Sequence, residues 1–200
     1  MNIAVFVSGN GTNLQAIIDA ISRGEIKAKI ALVVSDNKDA YALARAKKAN
    51  IETFILSAKG FKNREDYDKE IIKELEKRSI RLVVLAGFMR LLSPYFVRRY
   101  KNKIMNIHPA LLPSFKGTHG IKDAFEYGAA MSGVTVHFVD EELDHGPIIL
   151  QEAVSINESD TLETLEEKIH KVEHRLYPKA VRLFVEGKLK IKGRKVIQGG

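Results

Sequence analysis

The 200-residue chain has no cysteine and no long apolar run, and each absence excludes a class of protein. Without cysteine there are no disulfides, no thiolate catalysis and no cysteine-based zinc site. No apolar stretch approaches the roughly 18 residues of a membrane helix. The N-terminal MNIAVFV has neither a basic region nor a small-residue cleavage site. We therefore expect no secretory leader and a cytoplasmic location.

The composition is that of an ordinary globular protein. Hydrophobic residues make up 45% and charged residues 28%, and a chain of this length can bury a substantial core. The formal net charge of +7 favours an anionic partner, which could be a phosphate ester, a polycarboxylate, nucleic acid or a membrane surface. The densest basic runs are VRRYKNK (97–103) and KLKIKGRK (188–195). We interpret both as solvated basic surface.

The first half of the chain alternates short apolar runs with amphipathic ones. Predicted strands cover 2–8, 29–35, 53–56, 81–87 and 103–108, and predicted helices cover 13–24, 39–49 and 63–79. Strands buried on both faces and joined by helices indicate a parallel sheet with right-handed crossovers.

The second half has a different pattern. Two strands, 133–139 and 146–156, flank a short acidic loop and predict an antiparallel pair. A long helix follows over 160–187, with Asp160 in a capping position and Pro178 expected to kink or break it. The chain contains neither repeats nor a linker, so the sequence predicts a single α/β domain over residues 1–200.

SGNGTN (8–13) joins the first strand to the first helix. Ligands of such sheets bind at the carboxyl ends of the strands, and glycines let main-chain amides approach an anion at a helix N-terminus. Thr12 or Asn13 is expected to cap the helix. The motif is neither G-x-G-x-x-G nor a Walker A loop. Phosphate binding is favoured over a merely structural tight turn.

NIHPALLP (106–113) places an amide and an imidazole two residues apart at the end of a strand. Side chains two apart in an extended chain point the same way, so Asn106 and His108 are expected to project together. Pro109 favours extended geometry at His108. An amide donor beside an imidazolium is a plausible oxyanion site, whereas a lone buried histidine bonded to backbone is the alternative.

DEELDHGP (140–147) carries four carboxylates on one loop, and most of them are expected to be solvated. Asp144 differs, because Gly146 and Pro147 would shape the loop tightly around it. A carboxylate beside His108 would orient the ring and favour its protonated form. The sequence therefore makes Asp144 a candidate partner of His108.

HKVEH (170–174) matches the H-x-x-E-H pattern of a zinc-peptidase class, with both histidines on one helical face. That class needs a further acidic ligand downstream, where this chain has only a short basic tail. A helix face that meets substrate or solvent is the favoured interpretation.

Five segments together resemble the phosphoribosylglycinamide formyltransferase family, whose members are folate-dependent enzymes of purine synthesis. They are SGNGTNLQAI, AGFMRLLS, NIHPALLPSFKG, GVTVHFVDEELDHGPIILQ and EHRLYP. They span almost the whole chain in the family's order and spacing. The resemblance implies a Rossmann-like doubly wound sheet, parallel in its N-terminal half, with antiparallel C-terminal strands and a long C-terminal helix.

The resemblance also implies roles for residues. The catalytic group would be Asn106, His108 and Asp144. The ribonucleotide substrate would contact Gly11, Thr12, Asn13, His170, Lys171, Val172 and Glu173. The co-substrate 10-formyltetrahydrofolate would contact Arg64, Met89, Arg90, Leu91, Leu92, Asn106, Asp140, Glu141, Glu142, Leu143 and Asp144. This chain departs from the family at two positions. Thr12 stands where many members have serine, and Ile121 stands where some members have histidine.

The implied reaction is attack of the glycinamide amine on the formyl carbon, through a tetrahedral oxyanion held by His108 and Asn106. Small-molecule substrates are expected, with no metal, nucleic-acid or membrane partner, in a monomer or weak homodimer. Two alternatives remain open. One is a sibling enzyme that formylates another acceptor or hydrolyses the folate. The other is a non-catalytic module that binds nucleotides or nucleic acid.

Overall fold

The computed structural model describes residues 1–199, and the chain divides into two units at the boundary between Met105 and Asn106. The elements of the first unit are β1 (Asn2–Val7), α1 (Thr12–Ser22), β2 (Lys29–Ser35), α2 (Tyr41–Lys48), β3 (Thr53–Ile55), α3 (Arg64–Lys77), β4 (Leu82–Leu85) and α4 (Pro94–Arg99). Its strands lie in the order β3-β2-β1-β4, and their pairs are parallel. The predicted parallel N-terminal half is therefore confirmed.

Burial explains why these strands form. Residues 3–7 of β1 are fully buried. In β4 the first three residues are fully buried and the fourth, Leu85, is 7% exposed. α1 packs through Leu14, Ile17 and Ile18, at the spacing of one helical face. The crossovers between parallel strands bring the carboxyl ends of β1, β2 and β4 to one edge of the sheet, where ligand loops are expected.

The boundary between the units lies inside β5 (Ile104–His108). The further elements of the second unit are α5 (Gly120–Glu126), β6 (Met131–Phe138), β7 (Ile148–Ser155), α6 (Leu162–Val185), β8 (Leu189–Lys192) and β9 (Lys195–Gln198). β6 and β7 pair antiparallel, as predicted, and so do β8 and β9. β9 joins β7 in parallel through a single residue pair, Ile148 with Lys195.

Three local predictions need correction. Gly11, rather than Thr12 or Asn13, is the N-cap of α1, because its left-handed backbone turns the chain into the helix. Thr161, one residue after Asp160, is the N-cap of α6. The side chains of Thr161 and Thr164 each accept a hydrogen bond from the other residue's main-chain N–H, which is a capping box.

Pro178 does not break α6, which runs unbroken from Leu162 to Val185. Proline removes one main-chain donor, while the buried side chains around it, Tyr177, Ala180 and Val181, hold the turn in place. None of the helices in the described part of the chain is long and apolar enough to cross a membrane.

Candidate active site

The NIHPALLP segment is fixed by two polar side chains from β6 and β7. Thr135 Oγ1 donates to the Ala110 carbonyl at 2.7 Å and accepts from the Leu112 amide at 3.0 Å. Gln151 Nε2 donates to the Leu112 carbonyl and to Thr135 Oγ1, each at 2.9 Å. The Leu112–Pro113 peptide bond is cis. The turn after His108 is thus held by a connected set of hydrogen bonds, of which the two between Thr135 and the main chain are buried.

His108 has an acceptor at each ring nitrogen. Nδ1 lies 3.6 Å from Asp144 Oδ2, and Nε2 donates to the carbonyl of Phe115 at 2.8 Å. His108 and Asp144 are 3% and 8% exposed. The Nδ1 side of the ring faces a carboxylate at ion-pair distance, while the Nε2 side makes a hydrogen bond. The structure therefore brings the predicted acid and the predicted imidazole together.

His137, on β6, completes the cluster, and the sequence did not single it out. Its Nδ1 donates to the Phe138 carbonyl at 2.8 Å, and its Nε2 lies 3.3 Å from Asn106 Nδ2. The same Nε2 lies 3.7 Å from Asp144 Oδ1. His137 therefore contacts both the Asn106 amide and the Asp144 carboxylate.

The Asp144 carboxylate is stabilised in its charged form despite its burial. Burial by itself would raise the pKa of Asp144, but the His137 ring, the Gly117 amide and the His108 ring together lower that pKa below its ordinary value of 3.8. The Gly117 N–H donates to Oδ2 at 2.9 Å. Asp144 is therefore a carboxylate at neutral pH and can favour a charged imidazole beside it.

The acidic loop, defined as Asp140–Pro147, has a constrained backbone. Asp144 adopts a left-handed conformation with φ 47°. A Cβ at Gly146 would lie 1.8 Å from the carbonyl oxygen of Phe138, so only glycine fits there. These constraints aim the Asp144 side chain at the two histidines.

The glycine loop, defined as Ser8–Asn13, lies in the first unit at the end of β1. Gly11 has φ 75°, and a Cβ there would lie 2.5 Å from the Ala42 Cβ. Arg45 of α2 holds Asn10 through both its carbonyl (2.9 Å) and its side-chain oxygen (2.8 Å). The loop leads into the positive end of an 11-residue helix. Its main-chain amides can therefore bind an anion.

The predicted folate residues of the first unit lie on the segment after β4. The amide of Met89 donates to Ser8 Oγ at 2.9 Å, and Arg64 Nη1 donates to the Leu92 carbonyl at 3.4 Å. Met89 and Leu91 are 66% and 55% exposed, which is unusual for large apolar side chains. On the acidic loop of the second unit, Leu143 is 51% exposed. Exposed apolar groups beside polar anchors suit an aromatic ligand.

The predicted ribonucleotide residues of α6 centre on a buried acid. Glu173 is 5% exposed, and its Oε2 lies 2.9 Å from His170 Nδ1. This hydrogen bond raises the pKa of His170 against the opposing effect of burial. Lys171 is exposed and Val172 half-buried. Among residues 1–199, no group of three or more histidine, cysteine, aspartate or glutamate side chains is placed to hold a metal ion.

A strand-end amide, a buried histidine and a carboxylate within 3.7 Å of two imidazoles lie on a Rossmann-like α/β scaffold, an arrangement of the kind that acyl-transferring enzymes use. The comparison with protein families assigns the particular kind. Residues 1–181 match the formyl transferase family, so the chain belongs to it.

Individual relatives agree with this assignment. Over 191 residues the chain is 46% identical to the phosphoribosylglycinamide formyltransferase of Escherichia coli (strain K12), covering 96% of this chain and 90% of that protein. The crystal structure of glycinamide ribonucleotide transformylase 1 from Symbiobacterium toebii superposes with a TM-score of 0.97 at 44% identity, covering 100% and 94% of the two chains.

A formyltetrahydrofolate deformylase from Pseudomonas syringae pv. tomato str. DC3000 is more distant in sequence. Its crystal structure superposes with a TM-score of 0.92 at 26% identity, over 100% of this chain and 66% of that one. The predicted fold class is confirmed by these likenesses.

Proposed function

We propose that this chain transfers the formyl group of 10-formyltetrahydrofolate to the amine of N1-(5-phosphoribosyl)glycinamide in purine (IMP) biosynthesis. The observation that carries the proposal is the buried cluster of Asn106, His108 and Asp144 in a member of the formyl transferase family. The family match covers both units, which supports treating residues 1–200 as one formyltransferase domain.

In the proposed reaction the substrate amine attacks the formyl carbon, and a tetrahedral oxyanion forms. Protonated His108 and the Asn106 amide stabilise that oxyanion, and such donors elsewhere are worth roughly 3 to 4 kcal/mol each. Asp144 keeps His108 protonated. The bond between the formyl carbon and the folate nitrogen then breaks as a proton reaches that nitrogen from His108 or through a water molecule. The attacking amine loses one proton in the same transfer, to the water or to His108 once it has given up its own, so the enzyme returns to its starting state. Holding both substrates in place supplies most of the remaining acceleration.

One hydrogen bond in the structure bears on this mechanism. His108 Nε2 donates to the Phe115 carbonyl, an acceptor of the same kind as a formyl oxygen. We expect the formyl oxygen to replace that carbonyl at Nε2 when the substrates bind. The segment around Phe115 then has to yield, while Thr135 and Gln151 keep the strand end itself fixed.

The binding assignments follow the same logic. Main-chain amides of Gly11, Thr12 and Asn13 hold the phosphate, and the His170–Glu173 turn of α6 holds the rest of the ribonucleotide. The folate contacts the segment after β4, with Arg64, and the acidic loop. A cytoplasmic location and a monomer or weak homodimer stay predictions.

A two-substrate assay tests the proposal. The protein is incubated with 10-formyltetrahydrofolate and glycinamide ribonucleotide, and deformylated folate is followed by absorbance. Turnover that requires both substrates supports formyl transfer. Turnover with the folate alone would assign a hydrolase, like the deformylase of similar structure. The absence of turnover under both conditions would favour a binding module.

A further inference from the structure

The basic run KLKIKGRK forms most of the C-terminal hairpin, and one of its side chains holds the acidic loop. Arg194 Nη2 donates to the carbonyl oxygen of His145 at 2.6 Å. Arg194 Nη1 lies 2.9 Å from Nε2 of the same histidine. The same Nη1 also lies 3.3 Å from Nδ1, so the guanidinium contacts both ring nitrogens. One guanidinium thus holds both the main chain and the side chain of the residue that follows Asp144.

The His145 ring extends this contact to the start of the acidic loop. Because a carboxylate only accepts hydrogen bonds, His145 Nδ1 donates to Asp140 Oδ2 at 2.8 Å. The other oxygen of Asp140 accepts from the Glu142 amide at 3.1 Å. Both ends of the loop are therefore connected to Arg194 through hydrogen bonds.

The acidic loop needs such support because its backbone is constrained where Asp144 lies. A non-glycine residue at positive φ persists only when its surroundings hold it. The Gly117 amide holds the Asp144 carboxylate, and Arg194 holds the carbonyl one residue further on. Both contacts involve a charged group, a carboxylate in the first and a guanidinium in the second, and such hydrogen bonds are stronger than neutral ones.

We propose that Arg194 is a positioning residue for formyl transfer. By holding His145, and Asp140 through it, Arg194 fixes the loop from which Asp144 faces His108. Its effect on turnover rests on the proposed function, whereas its effect on the loop can be measured without substrates.

Hydrogen exchange of the substrate-free protein tests the structural half. We expect amides of residues 140–147 to exchange faster in Arg194→Ala than in the wild type. The matched control is Lys192→Ala, which removes the same charge from an exposed position of the same hairpin and should leave that exchange unchanged. Equal exchange in Arg194→Ala and the wild type would overturn the proposal. Arg194→Gln replaces the alanine variant if the latter does not fold.

Steady-state kinetics test the catalytic half. We expect kcat of Arg194→Ala to fall about tenfold, as when a charge-assisted bond that positions a catalytic group is lost. The KM for the ribonucleotide should stay unchanged, and Arg194→Lys should recover part of kcat because one donor can still reach the carbonyl. Faster exchange with unchanged kcat would also overturn the proposal. A wild type without turnover would instead refute the proposed function and leave the exchange result standing.

Discussion

In the glycine loop the residue in the left-handed region is Gly11, with φ 75°, whereas in the acidic loop it is Asp144, with φ 47°. Both loops are also held by an arginine from a later element. Arg45 contacts the carbonyl and side chain of Asn10, and Arg194 contacts the carbonyl and side chain of His145. The two loops share their form of support and differ in the residue at the turning point.

The difference follows from what each loop contributes. The glycine loop offers main-chain amides to an anion, so a residue without a side chain is best at its turn. The acidic loop has to deliver a carboxylate, so the turning residue keeps its side chain and accepts strain of about 1 to 3 kcal/mol. We infer that substitutions in the glycine loop change substrate binding, whereas substitutions around Asp144 change turnover.

The largest expected difference between the two loops is in kcat, when the imidazole that faces the acidic loop is removed. His108→Ala should lower kcat about 100- to 1,000-fold, as when an oxyanion donor is removed elsewhere. The KM for the ribonucleotide should hardly change, because the glycine loop is untouched. Steady-state kinetics with both substrates varied measure this. An unchanged kcat would remove His108 from the mechanism.

A methyl group added at Gly11 of the glycine loop should change the KM for the ribonucleotide rather than kcat. Gly11→Ala places a Cβ at positive φ, 2.5 Å from the Ala42 Cβ. Strain of about 1 to 3 kcal/mol corresponds to about a 5- to 150-fold rise in the KM for the ribonucleotide. The control is Gly9→Ala, whose Cβ would meet no atom of the described residues within 4 Å. Equal KM values for the two variants would contradict a main-chain site.

A smaller effect tests whether the glycine loop works through its backbone alone. Thr12→Ala should raise the KM for the ribonucleotide by no more than about twofold, as for a surface substitution. The amides that hold the phosphate are still present in this variant. Isothermal titration with the ribonucleotide is a direct check. A much larger loss of affinity would show that the hydroxyl also binds the phosphate.

The smallest effect concerns stability and belongs to the acidic loop. The folded state lowers the pKa of Asp144, so its stabilising contribution is present above the pKa of the unfolded chain and is lost as pH falls through the folded value. The difference in unfolding free energy between wild type and Asp144→Asn should therefore shrink as pH falls below about 4. Urea unfolding from pH 3 to 7 measures it. A difference that grows on acidification would contradict the lowered pKa.

Sequence reasoning succeeded where a local pattern decides the structure. The apolar runs of β1 and β4 predict buried strands, and the two-residue spacing of Asn106 and His108 places both at the end of β5. Ser93 before Pro94 was a usable signal for the start of α4, because serine caps and proline suits the first helical turn. That short helix was missed all the same.

Tertiary contacts explain what could not be predicted. Thr135 and His137 are polar residues two apart in the mostly apolar strand β6, and this spacing was the local sign of their roles. Nothing local indicates that Arg194 reaches His145, since that contact depends on how the hairpin pairs with β7. The roles of the binding residues remain predictions from the family resemblance.

The central claim is that Asp144 acts on the transition state through His108, and Asp144→Asn tests it most directly. Asparagine keeps the shape of the side chain and tolerates the left-handed backbone, but it removes the charge. We predict that kcat falls at least about 100-fold while both KM values stay within about threefold of the wild type. A kcat equal to that of the wild type would contradict the claim.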